Sequence, residues 1–79
     1  MALVTKDNLK KVGKERNTVH QKVRATQYTA FVCNGAKYFQ IDTYGSPGRE
    51  MKDKISQSIQ LDEESAKALI KILSESFDW

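Results

Sequence analysis

Asn34-Gly35 constrains this chain more than any other two residues in it. Both central positions of a type I′ turn need positive φ, which Asn and Gly adopt at least cost, and alternating apolar residues flank the pair on both sides. A hairpin is therefore predicted, and a two-residue loop sets its register: Cys33 faces Ala36, Phe31 faces Tyr38, Ala30 faces Phe39 and Tyr28 faces Ile41. One face of the hairpin then carries Tyr28, Ala30, Val32, Phe39 and Ile41, apolar enough for a core. The other carries Thr29, Phe31, Tyr38, Gln40, Asp42 and Tyr44.

Upstream, "TVHQKVRATQYTAFVC" is rich in β-branched and aromatic residues and reads as strand. Its inward row starts as Val19 and Val23, opposite an outward His20, Lys22 and Arg24, and resumes as Tyr28, Ala30 and Val32. That parity change between Arg24 and Gln27 demands a bulge or a break. Downstream, the loop "GSPGREMKDK" leads into "ISQSIQL", a half-buried strand with Ile55, Ile59 and Leu61 inward and Ser56, Ser58 and Gln60 outward. Asp62 stands at an N-cap position, with Glu63 and Glu64 in the first helical turn where carboxylates meet the positive end of the helix dipole. Ala66, Leu69, Ile70, Leu73 and Phe77 then recur at helical spacing and form one apolar stripe.

The expected architecture is α+β: a curved antiparallel β-sheet of about four strands followed by one C-terminal helix, all within residues 18–79. Residues 1–17, whose apolar positions have no sustained period, read as a basic flexible arm. A chain of 79 residues buries only about 60% of the surface its unfolded form exposes, so pairing with a second copy is the natural way to gain apolar burial, and a homodimer is expected.

Charge is unevenly distributed. Residues 1–24 hold seven basic side chains against Asp7 and Glu15, whereas residues 62–79 hold five acidic ones against Lys67 and Lys71. A basic segment on a small domain favours polyanions. The single cysteine, Cys33, has no internal disulfide partner and fits a reducing cytoplasm, and one Cys beside one His makes no zinc set. No apolar run approaches the roughly 18 residues of a membrane helix, so no membrane partner is expected.

Catalysis is not expected either. His20 has no nucleophile beside it in the sequence, and Gly45-Ser46-Pro47-Gly48 lacks the Lys-Ser/Thr that completes a phosphate-gripping loop. No cofactor is implied. The outward row is the informative feature. Lys22 and Arg24 offer cations, Phe31, Tyr38 and Tyr44 offer ring planes, and Gln40, Ser56 and Ser58 offer amide and hydroxyl groups. Arg49, Lys52 and Lys54 add charge in the loop, nearly balanced by Glu50 and Asp53. Single-stranded nucleic acid is bound by such a mixture, with cations on its backbone and rings under its bases. The competing reading is a solvated face in which Phe31 and Tyr38 form a stabilising cross-strand pair.

The block "KYFQIDTYGSPGREMKDKISQSIQLDEESAKALIKIL" resembles the core of the transcriptional coactivator family called positive cofactor four, especially its small bacterial and phage members. The order is alike: a strand ending in an aromatic residue, a proline-containing charged loop, a short strand ending in Leu-Asp, and an acidic-capped helix. The resemblance spans about Gln27 to Phe77 and implies a homodimer that binds single-stranded DNA; the outward row does not distinguish DNA from RNA, and the expected setting is transcription, replication or repair. It also implies that Tyr44 is a stacking aromatic, that Lys52 and Lys54 are basic positions leading into the last strand, and that Arg24 lies near the basic start of the first. The family often has Trp where Tyr44 stands and a basic residue where Asp42 stands. Those departures support a rival expectation, a small interaction module that keeps the fold and binds a protein partner.

Overall fold

The computed structural model describes residues 1–45 and 55–79. Strands β2 (Ala25–Cys33) and β3 (Ala36–Tyr44) form the hairpin, β4 (Ile55–Asp62) runs antiparallel to β3, and helix α1 (Glu63–Ser76) follows directly. Asn34 and Gly35 have φ of 51° and 79°, as a type I′ turn requires, and the register from Ala25↔Tyr44 to Cys33↔Ala36 follows from that turn.

The fourth strand comes from a segment that reads as a flexible arm. β1 (Ala2–Val4) joins the outer edge of β4, giving the order β1-β4-β3-β2, and a 3₁₀ turn at Lys6–Asn8 follows it. β1 runs parallel to β4, pairing Ala2 with Ile59 and Val4 with Leu61, so the sheet is mixed rather than wholly antiparallel as expected. Three uncharged residues suffice to cover an edge that the meander leaves open.

Two further expectations are corrected. Residues 18–24 form no strand, so His20, Lys22 and Arg24 do not extend the outward row. β3 ends at Tyr44, opposite Ala25, and leaves no ladder for earlier residues; Arg24 instead donates its backbone N–H to the Gly45 carbonyl at 2.8 Å. The parity change between Arg24 and Gln27 thus marks where β2 begins. In β4, Thr43 pairs with Gln57 and Tyr44 with Ile55, which leaves Ser56 as the extra residue of a bulge. The slip turns Ile55 away from the inward row on which the alternation had placed it.

The strand passes into the helix through its cap. The Ser65 backbone N–H donates to Asp62 Oδ1 at 2.8 Å, and Ser65 Oγ donates to the Asp62 carbonyl at 3.1 Å. The bond from the Ser65 backbone, then that from its side chain, holds the Asp62 carboxyl below its ordinary value of 3.8. A depressed folded-state value contributes stability that is complete above the unfolded value and lost as pH falls through the folded one. Asp62→Ala is therefore expected to lower the urea midpoint at pH 7 and to leave it nearly unchanged near pH 2. An equal loss at both values would show that the charged cap is not the cause.

α1 lies over β3 and β4 and also meets the Lys6–Asn8 turn. Among the described residues Leu61, 8% exposed, is the one large apolar side chain that is buried, with Phe39, Ile41, Ala66, Leu69 and Leu73 half-buried. A helix about 10 Å across covers two strands spaced about 4.8 Å apart, and β2 is the third. Its apolar row accordingly stays open: Tyr28 is 74% and Val32 65% exposed. The intended core row is divided, one half under the helix and one half bare.

Candidate nucleic-acid interface

The opposite face of the sheet is built in rows that cross the strands. Phe31 faces Tyr38, Thr29 faces Gln40 which faces Gln60, and Gln27 faces Asp42 which faces Ser58. Tyr44 lies beyond them, between Ala25 and Ile55. The hairpin register thus makes neighbours of residues well separated in sequence.

Phe31 and Tyr38 stack with ring centroids 5.6 Å apart and planes 23° from parallel, and each remains partly exposed. Beside them runs a chain of polar contacts. Gln60 Nε2 donates to Gln40 Oε1 at 2.8 Å, and Gln40 Nε2 donates to both carboxylate oxygens of Asp42 at 3.0 Å. This chain fixes the orientation of the Gln40 amide, with its oxygen toward β4 and its nitrogen toward Asp42. Asp42 and Ser58 are buried, so the acid sits within the face rather than projecting from it. No described buried side-chain polar atom lacks a partner.

A cleft of about 240 Å³ opens on this face, lined by Met1, Ala2, Leu3, Gln40, Ile55, Ser58 and Gln60. Sequence reasoning missed its wall. Leu3 alternates with Ala2 and Val4 and lies opposite Gln60, but three residues are too few to declare a strand. Ile55 reaches the cleft through the Ser56 bulge.

Of the expected site residues, Phe31, Tyr38, Gln40, Tyr44 and Ser58 share this face. Ser56 is displaced from the row by the bulge. Lys22 and Arg24 precede β2 and are exposed, and the Arg24 bond to Gly45 sets that guanidinium-bearing residue at the same end as Tyr44. Arg49, Lys52 and Lys54 lie outside the described residues. Among the described residues, the rows of this face in β2, β3 and β4 hold Asp42 and Asp62 and no cation, whereas segment 10–24, mostly exposed, is rich in basic side chains.

Rings, amides and hydroxyls of this kind can stack on a ligand and hydrogen-bond to it. His20 is exposed, Cys33 is an exposed free thiol, and among the described residues no three His, Cys, Asp or Glu side chains come together. No described helix is long and apolar enough to cross a membrane. No protein-family model matches the chain, and no curated protein or solved structure matches it.

Proposed function

We propose that this chain is a non-catalytic module that binds single-stranded nucleic acid, as a homodimer, through the face bearing Phe31 and Tyr38. The observation that carries this reading is the stacked pair itself, partly exposed and flanked by oriented amides. Bases stack on such rings whatever their identity, with a contribution of about 1–3 kcal/mol each. The exposed basic segment 10–24 supplies the electrostatic part, and the free thiol suits a reducing, cytoplasmic setting.

Asp42 favours a second reading. With Asp62, which lies opposite Tyr38, it makes the charge in the rows of β2, β3 and β4 on this face acidic among the described residues, and a buried acid held by Gln40 suits a neutral protein surface better than phosphate. Fluorescence anisotropy of a labelled oligonucleotide, single-stranded against duplex at two salt concentrations, separates the two. Preference for the single strand, with residual binding at high salt, is the expected result. Binding erased equally for both by salt would reduce the interaction to the basic segment and sink the stacking proposal.

A further inference from the structure

We infer that the cleft beside the stacked rings seats a single nucleobase and selects bases that carry an exocyclic amine, namely adenine, cytosine and guanine, over thymine and uracil. This selection rests on the proposed binding of single strands and supplies what ring stacking lacks, a contact that tells one base from another.

The cleft has apolar walls and polar groups at fixed places. Leu3 of β1 and Ile55 of β4, 45% and 37% exposed, supply apolar surface for the faces of a ring, and Gln40, Ser58 and Gln60 supply the polar atoms. Its volume of about 240 Å³ lies just below the range of pockets for drug-sized ligands and fits a flat group of one or two rings. Gln40 stands two residues from Tyr38 on β3, about 7 Å along the strand. A nucleic-acid strand with one base on the ring pair therefore brings a neighbouring base to the cleft.

Asp42 decides which end of each amide faces which way. A carboxylate accepts hydrogen bonds and donates none, so Gln40 must turn its Nε2 toward Asp42, where it donates to both oxygens at 3.0 Å. The Gln40 amide oxygen is then left for Gln60, which must answer with its own Nε2, at 2.8 Å. Gln60 Oε1 ends this relay, and among the described residues no donor reaches it.

Ser58 is the second open group. It is 7% exposed, and among the described residues nothing hydrogen-bonds to its hydroxyl, yet no described buried side-chain polar atom lacks a partner. The Ser58 oxygen is therefore not sealed, and the opening it meets is the cleft it lines. A hydroxyl on so deeply buried a residue lacks a partner that a ligand would supply.

These two oxygens, with the Asp42 carboxylate opposite Ser58 on the next strand, make the polar side of the cleft electronegative. An exocyclic amine donates to such a surface. Thymine and uracil instead flank their one free ring N–H with carbonyl oxygens on both sides and meet the cleft with like polarity. Because the rings of Phe31 and Tyr38 accept every base alike, selection by amine separates the cleft from the stack. Asp42 also gains a place in a nucleic-acid face, as a positioning residue whose charge is spent on a chain of amides.

The test compares oligo-dC with oligo-dT of equal length by fluorescence anisotropy, above neutral pH and at high salt, where the backbone contributes least. The unaltered chain is expected to bind dC about 2- to 12-fold more tightly, the equivalent of one neutral hydrogen bond. Ser58→Ala is expected to reduce that ratio. Asp42→Asn, whose amide lets Gln40 and Gln60 reverse, is expected to bring it close to one with dT affinity unchanged. Tyr38→Ala should weaken both oligonucleotides and keep the ratio. Leu3→Trp fills the cleft from an exposed position on the edge strand, so it should lower dC binding to the level of dT even where a buried substitution unsettles the fold. Equal affinity of the unaltered chain for dC and dT, or a dC preference that survives both Asp42→Asn and Leu3→Trp, overturns the selection and leaves single-strand binding standing. Failure to bind either strand defeats the proposed function, and the nucleobase site with it.

Discussion

Leu61→Ala is expected to lower the stability of the fold by about 2–5 kcal/mol, the range for truncating a buried leucine when the surroundings relax only partly. Leu61 earns that figure by position. It pairs with Val4 on one side and Phe39 on the other, and with Ala66 it lines the groove at the start of the helix, so strands and helix meet at one side chain. A domain of this size has roughly 4–12 kcal/mol of total stability, so the loss is a large fraction of the whole. Ile59, on the same strand and 44% exposed, is the comparison. Ile59→Ala is expected to shift the urea midpoint by less than half as much, and equal shifts would show that stability is not concentrated at Leu61.

What was legible in the sequence is what depends on a few neighbouring residues. Asn34-Gly35 dictates its turn through two φ angles, and the turn dictates the pairing of β2 with β3. Asp62 caps the helix because Ser65 stands three residues on. The features that escaped depend on distant geometry. β1 is too short to have a period, and its parallel direction follows from where the chain crosses the sheet, not from Ala2, Leu3 or Val4 themselves. The bulge at Ser56 reverses the side of Ile55 without any local signal in "ISQSIQL". The bare row of β2 is a matter of width, since periodicity shows which residues are apolar but not how many strands one helix covers.

The candidate site divides in the same way. The Phe31 and Tyr38 pair followed from the hairpin register, because the partner of each ring is set by counting from the turn. The burial of Asp42 did not, because a lone carboxylate in a polar row reads as solvent-facing. Among the described residues Gln40, itself held by Gln60, donates to that acid, and this requires β4 to lie alongside β3 in this register.

Tyr38→Ala and Phe31→Ala should each weaken binding of a single-stranded oligonucleotide by about 5- to 150-fold, the equivalent of about 1–3 kcal/mol for one lost base stack. The double variant should lose less than the product of the two, because the rings contact each other and removing either already disturbs its neighbour. Salt separates this contribution from charge. Ring variants should shift affinity by the same factor at low and high salt, whereas Lys22→Ala and Arg24→Ala should each reduce the slope of log affinity against log salt by about 0.7. The opposite pattern, a salt-dependent loss from the ring variants and an unchanged slope from the charge variants, would mean that the bases do not lie on this face. Phe31 and Tyr38 stack on the face away from the helix, but Tyr38 also lines the groove with Leu61 at the helix start, so the urea midpoint of each variant is read beside its affinity. A fall in affinity with an unchanged urea midpoint therefore assigns the rings to binding, whereas a fall in the midpoint with unchanged affinity returns them to the role of a cross-strand pair that steadies the hairpin.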